Sequence, residues 1–288
     1  MRDIPTSPRV EEIKRKRKVR KLRMIVLFVL FFIAIIWALS FFSGDKHLIV
    51  NKIEINGTHI IYQKDIEDEV YQNISGKYLH LFSRNNSFIY PHDKIYANLL
   101  IKFPRIEKLS VSVNKVNTLQ INITERIGSY LYCGSNIPEN KDDVGENCYF
   151  INNDGYIFDK APYFSGNVYF KFYMALDSGS GSPLAKQMIS PERFHKLAGF
   201  IDGVTAIGFK PIYIYKDNDG TDYLYLNHNA VSTIPKIMFK DNDDLQIIGD
   251  NLAIAMRKKE FADEVNSKYN TLLYIDLRFD NKVLYKFQ

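Results

Sequence analysis

Residues 24–43 read MIVLFVLFFIAIIWALSFFS, an uncharged apolar run that decides the topology of the chain. The twenty residues would rise about 1.5 Å each in a helix, and so span roughly the 30 Å of a bilayer's hydrocarbon core. Residues 1–23 hold ten Lys or Arg against three acids, and such a basic flank stays in the cytoplasm. The sequence therefore predicts a basic cytoplasmic tail at 1–23, one transmembrane helix at 24–43 and extracytoplasmic domains after it, a single-pass type II arrangement.

A cleaved signal peptide would also combine a basic start with an apolar middle. Its apolar region usually has about 7–15 residues and ends at a small-residue cleavage site. The run in this chain is longer and ends in Trp37, Phe41 and Phe42, aromatic side chains suited to a membrane interface. This pattern favours an uncleaved anchor. Next to a span, the basic residues are better explained by orientation and anionic lipid than by nucleic acid, so we expect no nucleic-acid partner.

The chain after the span begins with a small domain of mixed strands and helices. Ile53 and Ile55 alternate with polar residues, as in a half-buried strand, and Pro104 ends a helical pattern. A short polar bend joins two later alternating segments into a hairpin. Both helices are expected to cover one face of the sheet. The predicted elements are a strand at 48–56, helices at 63–74 and 92–103, and strands at 109–113 and 119–124.

Beyond Arg126 the sequence predicts a β-rich domain. Asn153-Asp154-Gly155 is strong turn chemistry between two strands. The acidic segment 216–222 is interpreted as a hairpin turn rather than a calcium loop. It lacks the Gly at the sixth position and the Glu at the twelfth position of an EF-hand loop, and strands flank it. The other predicted features are strands at 212–215 and 223–226, helices at 191–203 and 245–266, and a flexible loop at 177–183.

Both cysteines lie in the exported part, where Cys133 and Cys148 bracket one polar loop. Outside the cytoplasm they could form a disulfide, worth roughly 3 kcal/mol in the loop-entropy model. A metal site would need more ligands nearby, and none of the six His falls within this loop. Free buried thiols are the alternative to the disulfide.

The C-terminus carries the clearest alternation in the chain. Asp280-Asn281 is expected to turn the chain into a last strand, in which Val283, Tyr285 and Phe287 alternate with their neighbours. We expect this strand at a sheet edge, where unpaired N–H and C=O groups can receive a strand from another chain. The alternative is that these three side chains merely pack inside. In the preceding strand, Leu273, Ile275, Leu277 and Phe279 alternate with Tyr274, Asp276, Arg278 and Asp280.

Several of these segments, in this order, resemble a known family, the bacterial FtsQ/DivIB division proteins. The chain departs from the family's usual Pro positions at Asn117 and Ile127-Gly128, and its loop 77–91 is longer. The segments that resemble the family's POTRA domain are Ile53-Glu54-Ile55-Asn56-Gly57, Phe103-Pro104-Arg105-Ile106, Val111-Ser112-Val113 and Leu119-Gln120-Ile121-Asn122-Ile123-Thr124-Glu125-Arg126. Tyr274-Ile275-Asp276-Leu277-Arg278-Phe279 resembles the Ile-Asp-Leu-Arg signature near the end of these proteins.

The resemblance implies both a fold and a role. The implied fold is α+β, with a POTRA-like β-α-α-β-β domain at 48–126 and an FtsQ-type β domain with two or more helices at 127–288. In the family the C-terminal strands receive FtsB, which travels with FtsL, so FtsB-like and FtsL-like proteins and other divisome components are the expected partners. The implied place is the bacterial cytoplasmic membrane at the septum. The expected partner-binding residues are Tyr274, Asp276, Arg278, Val283, Tyr285 and Phe287.

The sequence shows no catalytic constellation. Its six His match no metal-ligand spacing, and it has neither a Gly-rich phosphate loop nor Gly-x-Ser-x-Gly. We therefore predict no catalytic, cofactor-binding or metal-binding residues, no cofactor and no small-molecule substrate. The expected function is a divisome scaffold that recruits and regulates septal peptidoglycan synthesis. The rival functions are a POTRA-bearing export or membrane-assembly factor that chaperones exported chains, an anchored wall hydrolase and a membrane-tethered sensor.

Overall fold

A computed structural model describes residues 8–115, 117–138, 147–176, 181–217, 219–228, 234–279 and 282–288. The chain divides into two compact units, Met1–Glu125 and Arg126–Gln288. Both units contain helices and sheets, so the predicted α+β class is confirmed. Most of the predicted loop 177–183 and the predicted turn Asp280-Asn281 lie outside the described residues.

The N-terminal unit begins with a long helix, α1, from Pro8 to Ser43. Within it Lys14–Ser43 is long and apolar enough to cross a membrane, and the rest of the protein buries none of its most apolar stretch. The predicted helix at 24–43 is therefore confirmed. The helix starts well before this run, because Lys and Arg are good helix formers and sustain it through the basic segment.

Three strands form the sheet of the N-terminal unit. The central strand β5 pairs in parallel with β1 and antiparallel with β4, which confirms the predicted hairpin. The predicted first strand is shorter than expected, since its early part makes only an isolated bridge between Ile49 and Asn86. A small hairpin of β2 and β3 was not predicted. The elements are β1 Lys52–Asn56, α2 Gln63–Ile74, β2 Lys77–Tyr78, β3 Phe82–Ser83, α3 His92–Lys102, β4 Ile106–Lys115 and β5 Thr118–Glu125.

The helices α2 and α3 bury one apolar stripe each in a single core. Fully burying one aliphatic side chain stabilises the fold by about 1.5–3 kcal/mol. The burial of this cluster therefore stabilises the packing of both helices on the sheet. The spacing that predicted the two helices is therefore the spacing that fills the core. The fully buried members are Ile66 and Val70 of α2, Ile95 and Leu99 of α3, and Leu119 and Ile121 of β5.

One ten-stranded sheet runs through the C-terminal unit, in the order β10-β8-β7-β6-β9-β11-β12-β13-β14-β15. Its edge strands are therefore β10 and β15. The strands are β6 Tyr130–Tyr132, β7 Tyr149–Ile151, β8 Tyr156–Lys160, β9 Lys171–Tyr173, β10 Lys186–Gln187, β11 Pro211–Lys216, β12 Thr221–Leu226, β13 Lys236–Lys240, β14 Leu272–Phe279 and β15 Lys282–Phe287. The helices are α4 Pro191–Ala206, α5 Leu245–Arg257 and α6 Lys259–Ser267, with a 3₁₀ turn at Tyr269–Thr271.

The prediction of one helix over 245–266 is wrong, because the chain breaks at Lys258, whose backbone is extended. Leu252, Phe261 and Val265 all pack into the core of this unit. In an unbroken helix Phe261 and Val265 would lie nearly opposite Leu252, since each residue turns about 100° around the axis. The break brings both helices onto the sheet with their apolar faces inward.

Both predicted turns of the C-terminal unit join paired strands. At the first, Asn152 Oδ1 accepts from the backbone N–H groups of Asp154 and Tyr156, and β7 pairs with β8. At the second, β11 and β12 pair antiparallel, and Thr221 N donates to Asp219 Oδ1 at 2.8 Å. Asn218 lies outside the described residues. The hairpin interpretation of this acidic segment is confirmed.

A disulfide joins Cys133 and Cys148, whose Cα atoms are 4.2 Å apart. Cys133 follows β6 and Cys148 precedes β7, and these two strands pair antiparallel. The bond therefore links two neighbouring strand ends and leaves neither cysteine as a free thiol. Much of the polar loop between them lies outside the described residues.

Candidate partner-binding edge

The sheet of the C-terminal unit ends at β15. This strand pairs antiparallel with β14, which pairs in parallel with β13 on its other side. Within the described ranges, no strand pairs with the outer side of β15. The opposite edge strand, β10, has two residues, whereas β15 has six. Because an edge strand presents unpaired N–H and C=O groups, β15 offers the longer template in this sheet for a strand from a partner.

The strand register places the six predicted binding residues on two faces of the sheet. Tyr285 pairs with the buried Ile275, so it points to the face that the helices cover. Leu284 pairs with Asp276 and points to the opposite, open face. By the alternation of a strand, Val283 and Phe287 share the helix-covered face with Tyr285, whereas Tyr274 and Arg278 accompany Asp276. The six residues therefore form no single patch, although all of them flank the same edge.

On the helix-covered face, α6 holds β15 through Tyr285. The Tyr285 hydroxyl donates to Glu264 Oε2 at 2.7 Å, and its ring lies 4.9 Å from the ring of Phe261. The hydrogen bond to Glu264 raises the pKa of Tyr285, since ionisation would place two negative charges side by side. Lys268 Nζ lies 5.4 Å from the centre of the Phe287 ring. These contacts between α6 and β15 were not predicted, although Phe261, Glu264 and Lys268 recur at the spacing of one helix face.

The alternative that the last strand merely packs inside applies to two of its three alternating residues. Val283 and Phe287 are partly buried against the core. Tyr285 remains 37% exposed and Leu284 45% exposed. A partner strand added at this edge would therefore meet one aromatic and one aliphatic side chain, one on each face.

On the open face, Asp276 and Arg278 form an ion pair within one strand. The Asp276 carboxylate accepts from Arg278 Nε at 2.9 Å and from Arg278 Nη2 at 2.8 Å. Burial alone would raise the pKa of Asp276, but the hydrogen bonds and charge of Arg278 outweigh it and hold that pKa below its usual value. Ile275 and Leu277 point into the core. The Ile-Asp-Leu-Arg string thus combines two core residues with a locked ion pair beside the edge.

A cluster of tyrosines continues the open face away from the edge. The rings of Tyr213 and Tyr225 are stacked 4.5 Å apart, and Lys236 Nζ lies 4.4 Å from the centre of the Tyr223 ring. Burial, and then the charge of Arg278, lowers the pKa of Lys236. The register pairs Tyr213 with Tyr225 and Tyr215 with Tyr223, so these tyrosines share one face of the sheet. The open face is therefore aromatic and cationic beside β14.

One carboxylate of β12, that of Asp222, is buried with too few hydrogen bonds and opposite charges to offset the loss of its hydration. Asp222 is 5% exposed, and its Oδ1 atom has no hydrogen-bond partner among the residues that the structure describes. Burial and the nearby charge of Asp241 raise the pKa of Asp222 to about 6. Asp241 itself is paired with Arg193 and Lys216. Asp222 therefore opposes folding when it is ionised at neutral pH.

We expect Asp222→Asn to stabilise the C-terminal unit at pH 7 by about 2 kcal/mol, less than the full pKa difference implies. The folded protein binds the proton of the Asp222 carboxyl more tightly than the unfolded chain does. The stability that this proton binding contributes is therefore complete below pH 3.8 and is lost as the pH rises through about 6. The gain from the substitution should vanish near pH 4 when the melting temperature is measured by calorimetry. Asp241→Asn, which breaks two ion pairs, should instead lower the melting temperature at pH 7. A gain for Asp222→Asn that is independent of pH would contradict this assignment.

The N-terminal unit has a second long edge, β4, with ten residues. Its exposed positions include Glu107, Ser110, Ser112 and Asn114, whereas β15 exposes Leu284 and Tyr285. Apolar side chains stabilise a strand-addition interface when they are buried, and no exposed position of β4 is apolar, whereas β15 exposes Leu284 and Tyr285 beside Lys282 and Lys286. β15 is therefore the stronger candidate.

Among the residues that the structure describes, no three His, Cys, Asp or Glu side chains are grouped so that they could hold a metal ion. Comparison with models of protein families and with curated proteins finds no match to this chain. The family assignment therefore stays a prediction that rests on the residue patterns.

Proposed function

We propose that this protein is a membrane-anchored, non-enzymatic scaffold of the FtsQ/DivIB type. It binds an FtsB-like or FtsL-like partner by strand addition at β15, and so recruits and regulates septal peptidoglycan synthesis. The observation that carries the proposal is the six-residue edge strand that ends a ten-stranded sheet with Leu284 and Tyr285 exposed. Backbone hydrogen bonds would supply affinity, and the side chains on the two faces would supply specificity.

Three further features support the proposal. The exposed apolar helix would anchor the chain, with the basic tail in the cytoplasm and both units beyond the membrane. The N-terminal unit follows the strand-helix-helix-strand-strand order of a POTRA domain, apart from the added β2–β3 hairpin. Lys282 and Lys286 give the edge a positive charge that suits an acidic partner strand.

A point variant tests this interface better than a truncation after Asp280, because removal of β15 would expose the core residue Leu272, which pairs with Phe287. We expect Leu284→Glu to weaken capture of the FtsB-like and FtsL-like proteins of the same genome by at least about tenfold, or 1.4 kcal/mol. The reason is that strand addition would bury the new carboxylate without a partner. Co-purification from detergent-solubilised membranes measures the effect on the full chain.

Leu184→Glu is the matched control, since Leu184 is 37% exposed and lies beside β10 at the other edge of the same sheet. It should leave capture unchanged, and both variants should keep the hydrogen-exchange protection of β14. Equal capture by the wild type and Leu284→Glu would overturn binding at β15. If the wild type captures neither protein, the division role fails and the export-factor alternative gains support.

A further inference from the structure

The unpredicted hairpin of β2 and β3 is fixed beside the end of the apolar helix α1. Ser40 Oγ donates to the carbonyl of Leu81 at 2.7 Å, and Ser83 N donates to Ser43 Oγ at 2.8 Å. Asn86 Nδ2 donates to the carbonyl of Ser43 at 3.0 Å. These three hydrogen bonds hold the segment against the last turn of the helix.

The order of these contacts gives the hairpin a direction. From Ser83 back to Leu81, its partner on α1 changes from Ser43 to Ser40, about 4.5 Å along the helix axis. That displacement runs back toward the apolar run. The tip of the hairpin, beyond Leu81, therefore projects past the level of Ser40 in the direction of the bilayer.

The tip presents apolar side chains to the outside at a conformational cost. Leu79 is 86% exposed, and both Leu79 and His80 have positive φ, of 49° and 63°. Hairpin tips with two positive φ angles normally use Asn and Gly, so a leucine in this place needs a reason other than the turn itself. Leu81, at the other end of the tip, is 40% exposed.

The charge of the segment is one-sided. Residues 77–90 contain Lys77 and Arg84 and no Asp or Glu. At the same end of α1, Phe41 is 72% exposed, an aromatic side chain suited to the membrane interface. Apolar side chains flanked by cations at the end of a span match the interfacial layer of a bilayer that contains anionic lipid.

We propose that the β2–β3 hairpin inserts its tip, with Leu79 and Leu81, into the extracytoplasmic phospholipid interface of the membrane that α1 spans. The inference rests on the membrane anchoring in the proposed function, and it adds a second attachment point. A rigid domain with two attachments has a fixed height and tilt over the bilayer. The hairpin would thereby set how the N-terminal unit stands on the membrane.

Tryptophan fluorescence in nanodiscs tests this proposal on the full chain. The nanodiscs contain phosphatidylethanolamine and phosphatidylglycerol, with or without bromine on the acyl chains. Trp37 is the single tryptophan, so Trp37→Phe gives a silent background for Leu79→Trp. We expect emission from Leu79→Trp to shift to shorter wavelength and to be quenched by the brominated lipid.

The control in the same background is Ile101→Trp. Ile101 is 76% exposed and lies near the C-terminal end of α3. It is about 14 Å along that helix from His92, where α3 begins after the hairpin segment. Its emission should stay unshifted and unquenched. An unquenched Leu79→Trp, or equal quenching at both sites, would overturn insertion of the hairpin. Quenching of Trp37 in the unmodified chain tests the anchor separately, so a negative result for the hairpin is distinct from a failure of the span or of partner capture.

Discussion

Replacement of Gly57 by alanine should destabilise the N-terminal unit by about 3 kcal/mol, from backbone strain and overpacking together. Gly57 directly follows β1 and has a φ of +84°, a conformation that is strained for any residue with a Cβ atom. An added Cβ would lie far inside van der Waals contact with the carbonyl oxygen of Ile123. That oxygen belongs to the central strand β5, which is paired on both sides. Because β5 is held by its two neighbouring strands, it cannot move away from the added Cβ atom, and the clash lowers the stability of the folded unit.

Gly76 provides a matched control for this substitution. It has the same φ of +84°, but a Cβ atom there would meet no atom of the described residues within 4 Å. Gly76→Ala should therefore cost only the backbone strain, about 1 kcal/mol. Hydrogen exchange of the β5 amides in the full chain measures both losses, and the amides of the C-terminal unit serve as an internal reference. Equal losses for the two variants would mean that contact with Ile123 contributes nothing.

The helices that the sequence predicted well are those whose apolar spacing matches one contact surface. Ile66 and Val70 in α2, like Ile95 and Leu99 in α3, face the same sheet throughout, so local periodicity carried the information. The break at Lys258 could not be read in the same way. It depends on which faces α5 and α6 must present to strands that are distant in sequence, and spacing within the segment does not report this.

Part of the candidate site was predictable and part was not. Alternation predicted that Tyr285 and Phe287 share a face, and the last strand was expected at a sheet edge. The pairing of Tyr285 with Glu264, and the exposure of Leu284, depend on the register of β15 against β14 and on the docking of α6. Register is a tertiary property, since a shift of one residue would exchange the two faces.

The end of β5 and the residue after it, Thr124-Glu125-Arg126, form a motif that is clear in the sequence, although the contacts that explain it are not. Oε1 of Glu125 accepts from the backbone N–H groups of His59, Ile60 and Ile61 at 2.8–3.0 Å. These groups lie just after Gly57, so the carboxylate ties the end of β5 to the chain leaving β1. The next residue, Arg126, places its guanidinium 4.5 Å from the centre of the Tyr156 ring in the C-terminal unit. Adjacent residues therefore stabilise different units.

Removal of the Glu125 carboxylate should show what this tie contributes. We expect Glu125→Ala to destabilise the N-terminal unit by about 3 kcal/mol, because it leaves three backbone N–H donors without their carboxylate acceptor. Glu125→Gln should destabilise the unit by about half as much. Burial would raise the pKa of Glu125, but the three backbone bonds outweigh it and lower that pKa. The stabilisation is therefore complete above the unfolded pKa of 4.5 and is lost as the pH falls through the lower folded value. Denaturant-dependent hydrogen exchange of β1, corrected for the intrinsic rate at each pH, should show the wild type approaching Glu125→Ala in acid. The control is Glu107→Ala, at an exposed acid on β4, which should change the stability of the unit little at any pH. If the loss of stability in Glu125→Ala were equally large in acid, it would come from packing and not from the charge of the carboxylate.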